Sequence, residues 1–273
     1  MVRVHEHPPV KRLRYILIIL YGLMFFDARG AAAQPPPRLV HVFVALADNA
    51  HQGIVPVPAA LGNGDNPAKN LYWGAAFGVR TYFKKSSEWK EVATVKNPNP
   101  YILERSVFLH GASGTYLIAD AYRGREIKQA ITDFYRSAAG LVIEELPPEA
   151  RPMHPNGDSP ATAALSVYVG HDGLMDFAVE SRFQGDGKAH RDAIILACAS
   201  KMFFASGLKT TGAQPLLWTT GLMAPEAYTL KAALDAWIAG ESAEGTRERA
   251  AAAYAKYQKC GMVAARRLFS SAW

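Results

Sequence analysis

A histidine and a cysteine each stand just past a short apolar run. They are His171 in "SVYVGHDG" (Ser166 to Gly173) and Cys198 in "AIILACAS" (Ala193 to Ser200), with 26 residues between them. An imidazole beside a thiol is the pair that nucleophilic acyl transfer needs. The ring takes the thiol proton, the thiolate attacks a carbonyl carbon, and the imidazolium then protonates the leaving group. The bland alternative for Cys198 is a small buried hydrophobe, a common core role. The second cysteine, Cys260, lies in the amphipathic helical pattern "AYAKYQKCGMVAARRLF" and reads as packing, with a disulfide to Cys198 as the other option.

The elements that must position the pair are legible from apolar periodicity. "RLVHVFVALAD" (Arg38 to Asp48), "SVFLHG" (Ser106 to Gly111), "TYLIADAY" (Thr115 to Tyr122), "AALSVYVGHDG", "RDAIILACAS" and "PLLWTTG" (Pro215 to Gly221) read as strands. "NLYWGAAFGVRTYFKKS" (Asn70 to Ser86), "GREIKQAITDFYRSAAG" and "PEAYTLKAALDAWIAG" read as helices, followed by a long Ala-rich helical segment from about Ser242 to Phe269. Buried strands alternating with helices predict an α/β fold with a mostly parallel central sheet and helices on both faces. Ligands of such sheets bind at the carboxyl ends of the strands, where His171 and Cys198 both fall.

Chain order narrows the chemistry. The eight histidines are His5, His7, His41, His51, His110, His154, His171 and His190, so none follows Cys198. An α/β-hydrolase places its histidine last, and papain-like enzymes place histidine after cysteine. "VFLHGASG" is similar to a His-Gly oxyanion loop of α/β-hydrolases, but no G-x-S-x-G follows it. Histidine and then cysteine, one strand apart, is the order that survives.

In that order the chain resembles the caspase-like cysteine peptidases, the group of caspases, legumains, gingipains and CHAT domains. "SVYVGHDGLMDF" is similar to their strand ending in His-Gly, and "IILACASKMFF" to their strand ending in a legumain-type Ala-Cys-x-Ser. "PLLWTTGLMAPEAY" stands where their next strand and pocket loop occur, and the resemblance spans roughly Leu39 to Gly240. It implies a caspase-like three-layer sandwich with His171 as general base and acid and Cys198 as nucleophile. The oxyanion hole would consist of the backbone N–H of Cys198 and one from Asp172 or Gly173. Where the family has His-Gly, this chain has His171-Asp172-Gly173, so Asp172 stands where it would orient the imidazole or distort the oxyanion loop.

Asp48 and His51 follow the first strand and Asp120 ends "YLIAD"; together they would line the same edge, where an acidic pocket would favour a basic side chain before the cleaved bond. Turn capping is the other reading of all three. Met223 and Glu226 read as pocket rim or as the start of a helix. The expectation is therefore a thiol peptidase or related acyl-transfer enzyme that acts on a peptide or protein and needs no cofactor or metal. Its rivals are a catalytically silent caspase-like domain that binds a peptide in the same groove, and a small-molecule binder on a generic α/β sheet.

The remaining composition sets the compartment and the partners. Basic residues precede the apolar stretch "YILIILYGLMFF" and the small residues of "DARGAAAQ", which reads as a secretory signal over residues 1–33. The apolar stretch is shorter than the roughly 20 residues of a membrane span. Export to a periplasm or medium, without a stable membrane anchor, is the expectation. The domain would be residues 34–273, with a C-terminal helical extension from about 242. The whole chain has a formal charge of +6, but residues 1–33 hold five basic and two acidic residues, leaving 25 Lys+Arg against 22 Asp+Glu. No basic cluster suited to nucleic acid remains.

Overall fold

The computed structural model describes residues 38–146, 162–180, 182–185, 187 and 189–273. The expected signal segment and most of the Pro-rich stretch after Leu146 lie outside these residues. The described residues form one mixed sheet: β1 (Leu39–Ala45), β2 (Trp89–Asn99), β3 (Ile102–His110), β4 (Tyr116–Tyr122), β5 (Leu165–Val169), β6 (Asp192–Leu196), β7 (Gln214–Thr219) and β8 (Phe269–Ser270). Its order is β2-β3-β4-β1-β5-β6-β7-β8. From β4 to β7 every neighbouring pair is parallel, while β2–β3, β3–β4 and β7–β8 are antiparallel.

Strand alternation builds the layers, because successive side chains leave a strand on opposite faces. From β1, Val40, Val42 and Val44 enter one core with α1 (Val79–Lys84), α4 (Ala227–Ile238) and α5 (Ala243–Gln258). Phe43 and Ala45 enter the other, with α2 (Ile127–Ala138) and α3 (Ser200–Thr211). Strands β1, β4 and β5 are buried along their whole length, as parallel strands covered on both faces must be. The α/β class with helices on both faces of a mostly parallel sheet is therefore as expected.

Three local expectations give way. Only Val79–Lys84 of the stretch from Asn70 to Ser86 is helical; the first half is a chain of turns. A Cβ on Gly74 would lie 2.2 Å from the carbonyl oxygen of Ala68, an approach that glycine alone permits. Strand β2 escapes the apolar pattern because it is an edge strand, carrying Lys90, Lys96 and Pro98, residues that protect such edges. The Ala-rich tail is two helices, α5 and α6 (Met262–Leu268), parted where Lys259 and Gly261 adopt positive φ of 54° and 79°. Cys260 lies in that break and is exposed, so it does not pack on a helix face.

A buried ionic cluster ties β1, β3, β4 and the segment after α2 together. His41 Nε2 lies 2.9 Å from Asp120 and its Nδ1 2.7 Å from Glu144, while Arg105 grips Asp120 with two bonds of 2.7 and 2.6 Å. Burial alone would lower the His41 pKa, but the carboxylates of Glu144 and Asp120 outweigh it and raise it from 6.5 to about 9. Burial opposes ionisation of Asp120 as well, and Arg105 with His41 still holds it at about 2.

His41 contributes stability that is complete below pH 6.5 and lost as pH rises through about 9. The melting temperature should therefore fall across that window, and the fall should flatten in His41→Gln. Asp120→Asn removes the carboxylate that Arg105 and His41 share, leaving them Glu144 alone, and should cost about 3 kcal/mol in denaturant unfolding.

Candidate functional site

Strands β5 and β6 are parallel neighbours in a register that pairs Val169 with Leu196, the last residue of each. The Gly170 N–H extends the pairing with a 3.2 Å bond to the Leu196 carbonyl. His171 and Cys198 each follow by two residues, past the carboxyl ends of these adjacent strands. Gly170 has φ +152°, and a Cβ there would meet the Ala45 carbonyl oxygen at 2.9 Å, so a larger residue would push the end of β5 off β1. Among the described residues, the crossover between the two strands contains a single 3-10 turn, Gly173–Met175.

The backbone turns sharply after Cys198. Ala199 has φ +47° and ψ +30°, a left-handed conformation unusual for a residue with a Cβ, and it caps the N-terminus of α3. The turn is pinned from β7. Ala199 N–H donates to the Gly221 carbonyl at 2.8 Å, Thr219 Oγ1 bonds the Ala197 carbonyl, and Ser200 N–H donates to Thr219 Oγ1 at 3.2 Å. The structure thus holds Cys198 in a strained strand-to-helix corner, the kind of outlier that gathers at functional sites. Cys198 is half-buried with a free thiol, and Cys260 is free as well, so no disulfide joins them. The Met223 N–H points at Cys198 Sγ at 3.4 Å, and the thiol faces the Met223 carbonyl at 3.6 Å. No hydrogen bond links Cys198 to His171 among the described residues.

The His171 ring, 10% exposed, places Nε2 at 2.8 Å from Asp176 Oδ2. Its carbonyl accepts bonds from Tyr168 Oη at 2.7 Å and from Gly173 N–H at 3.1 Å. The residue that orients the imidazole is therefore Asp176 and not Asp172. Asp172 Oδ1 instead accepts the Leu174 N–H at 3.0 Å and caps the 3-10 turn. Gly173 N–H, engaged by the His171 carbonyl, is not available as an oxyanion donor. The N–H groups of Asp172 and Cys198 donate no hydrogen bond among the described residues, but Asp172 is wholly buried, so of the expected oxyanion donors Cys198 N–H is the one that remains.

The weaker candidates separate. Asp120 lies within β4, two residues short of the strand end and fully buried in the ionic cluster, so it lines no pocket. Asp48 is buried and caps its own turn, accepting Ala50 N–H at 3.0 Å and pairing with the ring of exposed His51 at 2.9 Å. Met223 does border Cys198. Glu226 precedes α4 and accepts the Tyr228 hydroxyl at 2.8 Å. His110 lies at the end of β3, which runs opposite to β4, and so at the far edge of the sheet.

Residues 46–78 form a long ordered loop after β1, and sequence reasoning missed its part in the site. Its anchor is the fully buried Asn70. Oδ1 accepts N–H groups of Ala47 and Tyr72, both at 3.1 Å, while Nδ2 donates to the carbonyls of Ala47 and Asn63 at 2.8 and 3.1 Å. The loop brings Gly53 against the carboxylate of Asp176. It also brings the buried ring of Tyr72 within electrostatic reach of Cys198; burial first, then the charges of Cys198 and Glu226, hold the phenol above its usual range. Among the described residues no group of three or more His, Cys, Asp or Glu could hold a metal ion, and no helix is long and apolar enough to cross a membrane.

Asn70→Ala should cost about 3 kcal/mol, because it orphans several buried backbone groups. It should also raise amide hydrogen exchange across residues 46–78 more than in the sheet. No protein-family model, no curated protein and no solved structure matches the chain.

Proposed function

We propose that the chain is a caspase-like cysteine peptidase or related thiol acyl-transferase, with Cys198 as nucleophile, His171 as general base and acid, and Asp176 as the group that orients the ring. The observation that carries this reading is the register of β5 on β6, which delivers the imidazole and the thiol to one edge from adjacent parallel strands. With Nε2 held by Asp176, Nδ1 is the nitrogen left to accept the thiol proton. The thiolate then adds to the carbonyl carbon, and the oxygen takes the charge beside the free N–H group of Cys198. The imidazolium returns its proton to the departing amine as the C–N bond breaks. Water, deprotonated by the same ring, cleaves the thioester and restores the thiol.

The rim of this edge supports an apolar substrate instead of a basic one. Val55 from the loop after β1, Met175 from the His171 turn, Met202 from the first turn of α3 and Leu222 from the loop after β7 are all exposed. The acidic residues expected there, Asp48 and Asp120, are buried and paired. A second reading, a silent peptide-binding domain, is favoured by one observation: the thiol faces the Met223 carbonyl and not the imidazole.

Alkylation of Cys198 by iodoacetamide at pH 6.5, followed by mass spectrometry, separates the two. The peptidase reading expects a drop of at least roughly tenfold in His171→Ala and a smaller one in Asp176→Asn. Equal rates in all three proteins support the silent domain. In a peptide library, cleavage should require apolar residues beside the scissile bond, and Leu222→Lys should lower kcat/KM for such peptides about tenfold.

A further inference from the structure

The group beside the imidazole that this mechanism leaves unused is Asp172. Its side chain is wholly buried; Oδ1 is occupied by Leu174 N–H at 3.0 Å, and Oδ2 has no hydrogen-bond partner. It stands at the head of the turn that carries both His171 and Asp176. That turn is held by Gly173 N–H to the His171 carbonyl at 3.1 Å, Met175 N–H to the Asp172 carbonyl at 3.2 Å, and Asp176 and Phe177 N–H to the Gly173 carbonyl at 3.0 Å each.

The surroundings of Asp172 oppose a negative charge. Helices α2 and α3 pack against the turn. Tyr135 of α2 and Tyr168 of β5 both feel the Asp172 carboxyl, but their hydroxyls donate elsewhere, to the carbonyls of Phe204 at 3.2 Å and of His171 at 2.7 Å. Asp176 adds a like charge from the same turn. Lys128 of α2 reaches the turn only at the ring of Phe177, 5.9 Å away. Among the described residues no cation pairs with Asp172. An O–H without an acceptor is a modest burden in such a site, whereas a buried carboxylate oxygen without a donor is a large one.

We propose that Asp172 is a positioning residue that holds the His171–Asp176 turn as the neutral acid, and that its ionisation loosens the turn and sets an alkaline limit on the site. The proposal rests on the reading of His171 as the working imidazole for its consequence, but not for its test. Burial, with the charge of Asp176 adding to it, pushes Asp172 up to about 7 against the Leu174 bond. The native state therefore keeps a proton that the unfolded chain has already released, so the contribution of Asp172 to stability falls as pH rises from about 4 to about 7. Above that window the carboxylate sits unpartnered beneath the turn.

The test is amide hydrogen exchange of Leu174 and Phe177, read by NMR at pH 6 and pH 8 and corrected for intrinsic exchange, in the full chain and in Asp172→Asn. Wild-type protection should fall about tenfold between the two, the excess of ionised over neutral Asp172 one pH unit above its midpoint. Asp172→Asn, whose amide stays neutral, should keep its protection at pH 8. Equal wild-type protection at both pH values, or the same loss in Asp172→Asn, overturns the proposal. If the variant does not fold, the same comparison in His41→Gln, which removes the other deprotonation that weakens the fold in this range, decides the matter. Because neither arm depends on catalysis, an inactive Cys198 leaves the result standing, and an active Cys198 above a pH-insensitive turn overturns only this inference.

Discussion

The in-register parallel pairing of β5 with β6 is the constraint on which the site depends. It aligns Val169 with Leu196, so two residues of overrun on each strand suffice to bring an imidazole and a thiol to one edge. A slip of one residue would reverse the facing of every β6 side chain, moving Ile194 and Leu196 out of one core and Ala193 and Ile195 out of the other. The two cores thus set the register, and the register sets which residues reach the carboxyl edge. The same pairing explains why Gly170 is needed: β5 ends too close to β1 to admit a side chain there.

Beyond the strand ends, polar side chains do what the sheet cannot. Thr219 and Ser200 lock the corner after Cys198 from the neighbouring strand, and Asn70 ties the long loop after β1 back to the sheet. Each is buried and each satisfies backbone groups that irregular chain leaves open. The loop adds turn bonds of its own, among them Asn49 N–H to the Gly62 carbonyl and Leu71 N–H to the Leu61 carbonyl, both at 2.9 Å. Its reach to Asp176 and Tyr72's approach to Cys198 make it part of the site and not merely a connection. On the opposite half of the sheet, the His41–Asp120–Arg105–Glu144 cluster serves the fold alone.

The strands β1 and β3 to β7 and the helices α2 and α4 were legible because burial imposes a period that composition displays. His171 and Cys198 were legible for the same reason, as the polar endings of apolar runs. What sequence spacing hid is what depends on the return of the chain through space. Asp172 is adjacent to His171 in sequence, yet the 3-10 turn swings Asp176 back onto the ring and buries Asp172. Asp120 resembled a strand-end carboxylate until Arg105, on a strand antiparallel to its own, claimed it. Strand β2 lacked a signal because an edge strand answers to solvent on its open side. The turns from Asn70 to Gly78 carried helical spacing, but side-chain bonds from Asn70 override local propensity there.

The central claim is that Cys198 and His171 act on one carbonyl at the carboxyl edge of the sheet. Its most direct test is the crystal structure of the protein soaked with an apolar peptide aldehyde. A hemithioacetal should form on Cys198 Sγ, with its oxygen facing the N–H of Cys198 and His171 Nδ1 turned toward the adduct. An unmodified Cys198 still facing the Met223 carbonyl at saturating aldehyde, or an adduct whose oxygen points away from the Cys198 N–H, would contradict it.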